Sequence, residues 1–221
     1  MDLAPYIDHT LLKPDAKESE IIQLCAEAKQ FGFHTVCIEA KWLALAVREL
    51  KGSRVLPITV VSFPGGRDST DSKVSQVRAA LAAGAGEIDM VLNRESLAQF
   101  RYADVYQDIS AVVAASSGRP VKVILETSEL TEYQKVAASA LCKAAGASFV
   151  KTSTGFSKSG ATLEDVRLMR SVVGPGFGVK ASGGIRTTQD ALKMVEAGAT
   201  RLGTSASVAI VQGVAASVGG Y

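Results

Sequence analysis

Histidine is scarce in this chain. Only His9 and His34 occur in 221 residues, which excludes a histidine-rich metal centre. Cysteine is scarce too. Cys25, Cys37 and Cys142 are odd in number and form no Cys-x-x-Cys pair, so neither a disulfide framework nor a structural zinc site is expected, and a reducing cytoplasm is the expected compartment. No apolar run is long enough to span a bilayer. The first residues, Met-Asp-Leu-Ala-Pro-Tyr, lack the basic start and long apolar segment of a signal peptide. Charge of one sign is also missing. The 24 basic and 22 acidic side chains leave a net charge of +2, which gives no footprint for nucleic acid or a membrane surface. Aromatic side chains are few, with 7 Phe and 1 Trp, so Ala, Val and Leu must fill the core. That composition suits helices packed on a Val/Ile-rich parallel sheet.

What is present alternates. Strands are expected at 6–12, 35–38, 55–61 (with Pro57 near its start), 87–91, 121–126, 149–152, 178–181 and 201–204. Helical stretches separate them, including a long one over 95–115. Asp15 with Glu18, Thr131 with Gln134, Thr162 with Asp165 and Thr187 with Asp190 have the spacing of helix caps. An internal echo reinforces the pattern. Gly32, Gly84, Gly146 and Gly198 each stop a helix just before a strand, and they lie 52, 62 and 52 residues apart. Each step holds two strand–helix units, so four steps imply eight. Eight alternating units in this length fit a (β/α)₈ barrel, a TIM barrel, with a doubly wound open sheet as the alternative. No Gly-x-Gly-x-x-Gly opens a helix after the first strand, which counts against the dinucleotide-binding form. With no linker or low-complexity stretch, residues 1–221 read as one domain.

The chemistry gathers at Phe149–Gly155, Phe-Val-Lys-Thr-Ser-Thr-Gly. Lys151 ends a short apolar run before a polar turn. Lys180 repeats the device in Gly178–Gly184. An ammonium there is costly to desolvate unless it is paired or loses its proton, and a neutral lysine is a nucleophile. If the two strands are neighbours, each lysine lowers the other's proton affinity. In a barrel the strand C-termini share one face. There Asp8, Cys37, Asp89, Glu126, Lys151 and Lys180 supply an amine, a second cation and a carboxylate to move protons, the parts of Schiff-base chemistry on a carbonyl. The turns after strands 7 and 8, Ser182–Arg186 and Gly203–Ala206, occupy the usual phosphate seat of such barrels.

These residues resemble the 2-deoxyribose-5-phosphate aldolase family of class I aldolases. The matching stretches are Ile7–Pro14, Glu87–Val91, Val123–Thr127, Phe149–Gly155 and Val179–Arg186, in order along the chain. The resemblance implies that Lys151 forms the Schiff base, that Lys180 tunes it, and that Asp89 relays protons. It implies a pocket lined by Asp8, Thr10, Cys37 and Thr152. It further implies that Gly155, Gly183, Gly184, Arg186, Gly203 and Ser205 hold a phosphosugar. No metal or cofactor is required, because the protonated imine is the electron sink. The partners implied are small phosphosugar and aldehyde substrates, with a homodimer or higher homo-oligomer compatible. Some members of the family carry a lysine where Phe156 stands, which moves phosphate compensation toward backbone amides, Arg186 and Lys158. Ala206 lacks a hydroxyl that some members have.

Of the remaining polar residues, His9 reads as an internal hydrogen-bonding group and Cys37 as pocket wall. Glu126 reads as a structural partner for a buried lysine, and Glu87 as facing outward or pairing with a cation. Tyr221 either folds over the pocket or ends a loose tail. A transaldolase, a keto-acid aldolase and a non-catalytic phosphosugar-binding barrel are the competing functions. The paired lysines argue against the last.

Overall fold

The computed structural model describes residues 1–214. The Gly219–Tyr221 tail therefore lies outside the described residues. Eight parallel strands, β1 (Ile7–Leu11), β2 (Thr35–Ile38), β3 (Leu56–Val61), β4 (Glu87–Val91), β5 (Val121–Ile124), β6 (Phe149–Lys151), β7 (Gly178–Ser182) and β8 (Arg201–Thr204), close in sequence order, and β8 pairs back onto β1. The helices between them are α1 (Glu18–Phe31), α2 (Leu43–Glu49), α3 (Thr70–Ala82), α4 (Arg94–Ala98), α5 (Tyr102–Ala115), α6 (Glu132–Ala144), α7 (Leu163–Val173) and α8 (Thr188–Glu196). A ninth, α9 (Ser207–Gln212), follows β8. This is the expected (β/α)₈ barrel.

The echoing glycines sit where the chain leaves α1, α3, α6 and α8. Gly32, Gly84, Gly146 and Gly198 all have positive φ, from 70° to 116°, where a side chain would be strained. Three of the expected caps also form: Thr131, Thr162 and Thr187 accept hydrogen bonds from the amides of Gln134, Asp165 and Asp190. The first differs. Lys17, not Asp15, precedes α1, and the Glu20 carboxylate accepts from the Lys17 amide at 2.9 Å while pairing with Lys13.

Two other boundaries moved. The long helix expected over 95–115 breaks into α4 and α5, because Phe100 turns the chain with φ 57°. The fifth strand stops at Ile124 rather than residue 126, because Glu126 takes a left-handed φ of 60°.

Strand alternation divides the interior. Ile7, Val36, Ile88, Met90, Val123, Val150, Val179 and Leu202 join the helices in one large apolar cluster. Within the barrel a separate small cluster contains Leu12, Cys37 and Ile58, with Val60 and Phe63 against it. The interior of such a barrel is ordinarily filled by branched aliphatic layers. Here that inner apolar cluster lies on the β1–β3 side, and charged side chains fill much of the rest, with Val91, Ile124 and Phe149 among them.

Candidate active site

The charged half is a connected network. Lys151, the last residue of β6, donates to Asp89 Oδ2 at 2.8 Å. Lys180 on β7 donates to the same oxygen at 2.8 Å and also to Asp8 Oδ2. Strand register sets this up, since Lys151 and Lys180 are direct partners across β6 and β7. Asp89 Oδ1 accepts from Lys122 Nζ at 2.7 Å. Lys122 also reaches Glu87 Oε2 at 2.6 Å. Arg201 Nη1 bridges Asp8 Oδ1 at 2.8 Å and Glu87 Oε2 at 3.1 Å, and the Thr35 hydroxyl donates to Asp8 Oδ1 at 2.7 Å. All seven charged side chains are buried. The Phe149 ring lies at the N-terminal end of β6, 5.2 Å from the Arg201 guanidinium and 5.9 Å from Lys122 Nζ. A side chain at Gly178 would strike that ring, which is why the neighbouring strand begins with glycine.

The network sorts the two lysines. Burial lowers the pKa of Lys151, and the Lys180 charge lowers it further, against the single opposing contact with Asp89. Burial acts the same way on Lys180, but Asp8 and Asp89 together outweigh it and raise its pKa. The expected mutual lowering therefore occurs on one side only. Of the two, Lys151 gives up its proton the more readily. Lys122 and Arg201 are likewise held charged by carboxylates despite burial. Asp8 and Asp89 are pulled well below the carboxylate range, and Glu87 down to about 2, as the surrounding cations overcome the opposing effect of burial. Burial pushes the Cys37 thiol up, so it has no thiolate character and serves as wall.

The remaining expected residues divide. Thr10 is buried and its hydroxyl donates to the Asp8 carbonyl at 2.9 Å. Thr152 is wholly buried and ties β6 to β7, donating to the Ser182 carbonyl at 3.1 Å and accepting from its amide at 3.0 Å. Gly155, Gly183 and Gly184 all have positive φ. The loop after β6 lies on the turn after β7, where the Ala161 amide donates to the Ser182 and Gly183 carbonyls. Gly184, Arg186 and Ser205 are exposed. Gly203 faces Lys180: a Cβ there would come within 2.9 Å of Lys180 Cε.

His9 holds the internal role expected of it, bonded to Ser207 and Glu27 at 2.8 Å each. Glu126 pairs with no buried lysine. Its left-handed backbone turns the carboxylate toward the β6–α7 loop, where it accepts from the Thr154 amide and hydroxyl and from the Ser157 hydroxyl at 2.7 Å. Glu87 does pair with cations and faces into the barrel. Sequence reasoning missed Lys122 and Arg201. The signal was available, since charged residues within apolar strands of a closed barrel must be paired, and period-two counting puts Arg201 on the same face of its strand as Gly203. It also missed Ser153, whose buried hydroxyl has no hydrogen-bond partner among the described residues.

Comparison with known proteins gives the family. Residues 3–217 match the family described as DeoC/LacD family aldolase. The deoxyribose-phosphate aldolase of Streptococcus sanguinis is 53% identical over 98% of this chain and 99% of its own length. That of Staphylococcus saprophyticus is 51% identical over 97% of each. The solved structure of the tetrameric deoxyribose phosphate aldolase of Aeropyrum pernix superposes with a TM-score of 0.88 at 35% identity, covering 95% of this chain and 89% of that one. A family match spanning nearly every residue, and relatives of this identity along their full length, place the chain in the DeoC/LacD aldolase family.

Proposed function

We propose that this chain is a class I aldolase that reversibly cleaves 2-deoxy-D-ribose 5-phosphate to acetaldehyde and D-glyceraldehyde 3-phosphate, with Lys151 as the Schiff-base residue. The observation that carries the reading is the division of one carboxylate between two lysines whose proton affinities are moved in opposite directions. Lys151 and Lys180 share Asp89 Oδ2, the first with its pKa lowered and the second with its pKa raised.

The neutral Lys151 amine adds to C1 of the open-chain sugar. Loss of water gives a protonated imine. A base removes the C3 hydroxyl proton, and the C2–C3 bond breaks toward the imine nitrogen. Glyceraldehyde 3-phosphate departs, and a two-carbon enamine stays on Lys151. Protonation of the enamine carbon and addition of water release acetaldehyde and restore the amine. Asp89, already in contact with Lys151, relays the protons. Lys180 remains an ammonium and lowers the proton affinity of the free Lys151 amine.

The apolar wall of Leu12, Cys37, Ile58 and Phe63 suits the unsubstituted two-carbon fragment. The phosphate lies against the amides of Gly155, Gly183, Gly184, Gly203 and Ser205, with Arg186 supplying charge from the rim. The unpaired Ser153 hydroxyl beside Gly183 has a hydrogen bond to spare for the substrate. Phe156 packs edge-to-face on Phe63 with centroids 5.3 Å apart, so the mouth on that side offers carbon rather than charge.

We read residues 1–221 as one functional domain that acts as a homo-oligomer in the cytoplasm. Three cysteines that are all free are in keeping with that compartment. Among the described residues no helix is long and apolar enough to cross a membrane.

Borohydride trapping tests the reading. Acetaldehyde plus borohydride should leave one stable two-carbon adduct on Lys151, absent in Lys151→Leu. An adduct confined to Lys180 would reverse the two roles. Folded protein that forms no adduct with either acetaldehyde or deoxyribose 5-phosphate would remove the aldolase assignment.

A further inference from the structure

The interior network holds three carboxylates, Asp8, Glu87 and Asp89, and four cations, Lys122, Lys151, Lys180 and Arg201. Three of the cations each reach two or more carboxylates. Lys122 reaches Glu87 and Asp89 and, at 3.8 Å, Asp8; Lys180 reaches Asp8 and Asp89, and Arg201 reaches Asp8 and Glu87. Lys151 reaches only Asp89, through an oxygen that Lys180 already shares. With Lys151 neutral, three cations face three carboxylates. With Lys151 charged, the buried cluster carries a surplus positive charge, which a low-dielectric interior disfavours.

The geometry assigns Arg201 and Glu87 as positioning residues for the reacting amine: by occupying Asp8 and Lys122 from the closed end of the barrel, they make Lys151 the member of the network that gives up its proton. Both are the first residues of their strands, β8 and β4, whereas Lys151 is the last of β6, so neither need touch the substrate. The groups facing each member come from every strand involved. Around Glu87 are Lys122, Arg201 and, at 3.8 Å, His34 on the β1–β2 side. Around Arg201 are Asp8, Glu87 and the Phe149 ring. Asp8 also holds Lys180, the Thr35 hydroxyl and, at 3.8 Å, Lys122. Around Lys151 are the Asp89 carboxylate, the Lys180 ammonium and the Cys37 thiol.

The sign of each perturbation follows from the count. Removing the Arg201 charge leaves three carboxylates for three cations even when Lys151 is protonated, so the proton is kept. Removing the Glu87 charge leaves two carboxylates for four cations, so the proton leaves more readily.

This rests on Lys151 being the Schiff-base amine, and the experiment separates the two. The wild-type protein is first trapped with acetaldehyde and borohydride. Failure to modify Lys151 there removes the functional assignment itself. The acid limb of kcat/KM for deoxyribose 5-phosphate cleavage, which reports the free enzyme's amine, is then measured for Arg201→Met, Arg201→Lys and Glu87→Gln, each checked by circular dichroism. The expected result is a displacement on the order of one pH unit, upward in Arg201→Met and downward in Glu87→Gln, with Arg201→Lys near wild type. If Arg201→Met does not fold, the Glu87→Gln limb and the Arg201→Lys profile decide. Folded variants whose limbs stay in place, or move together in one direction, overturn the assignment and leave Arg201 and Glu87 as stabilising groups.

Discussion

Gly203 shows how much the site depends on a missing side chain. An added Cβ would lie 2.9 Å from Lys180 Cε and 3.0 Å from Ser182 Cβ. Lys180 cannot yield freely, because its ammonium is fixed by Asp8 and Asp89. Gly203→Ala should therefore cost about 1–3 kcal/mol of stability by overpacking. It should also lower kcat/KM at least about tenfold, the equivalent of about 1.4 kcal/mol of transition-state stabilisation. Steady-state kinetics beside a urea titration would check both, and unaltered turnover would mean that Lys180 has room to shift. At this scale the sequence was legible for the residues that end a strand before a glycine-rich turn, since a lysine there has few explanations. Lys151 and Lys180 came out that way, and Asp89 from the two carboxylates crowded into one five-residue strand. Lys122 and Arg201 did not, because each lies at or next to the start of a short strand, where one charged residue reads as rim or edge. Glu126 was given the wrong partner because nothing local announces a left-handed glutamate, and that one torsion turns the carboxylate from the barrel to the β6–α7 loop.

The elements were legible where punctuation was strong. Thr131 and Gln134 satisfy each other's backbone at the start of α6, and the structure forms both bonds. Thr131 is exposed and makes no contact with the ionic network. Thr131→Ala should then cost about 1 kcal/mol, lowering the melting temperature by roughly 2–4 °C with kcat/KM unchanged. Differential scanning calorimetry would read it, and an unchanged melting temperature would mean that Gln134 alone suffices at this helix start. The joint between α4 and α5 was illegible for the opposite reason. Phe100 has φ 57° and is exposed, and its ring meets Tyr102 edge-on with centroids 6.2 Å apart. A phenylalanine in the left-handed region breaks a local rule, so no pattern of glycine or proline marked the break.

Over the whole molecule, the closed barrel followed from counting units, but the filling of its interior did not. Periodicity tells which residues share a face; it does not tell which charges meet across a closed ring. That filling has a pH signature. Glu87 titrates at about 2 when folded against about 4.3 in an unfolded chain, and Asp8 and Asp89 are depressed in the same direction. Depressed carboxylates stabilise the fold fully above their unfolded pKa, and that stability is lost as pH falls through the folded value. Thermal melts followed by circular dichroism should therefore hold steady down to about pH 4.5 and decline progressively toward about pH 2. As Glu87 protonates, Lys122 and Arg201 lose a counter-charge. A melting temperature that stays level through that window would show that the network contributes no net stability.

Six of the seven network members each answer to two or more oppositely charged groups, and Lys151 alone answers to one. Such a closed circle of obligations has an evolutionary reading. A lineage that replaces any one of the six changes the electrical condition of all, so the step is punished even when the new residue fits. Change can pass only where a cation and a carboxylate are exchanged together, or where the amine itself is given up. On that reading exposed positions of the helices and outer loops can change one residue at a time, while the inside of the barrel must change as a single unit.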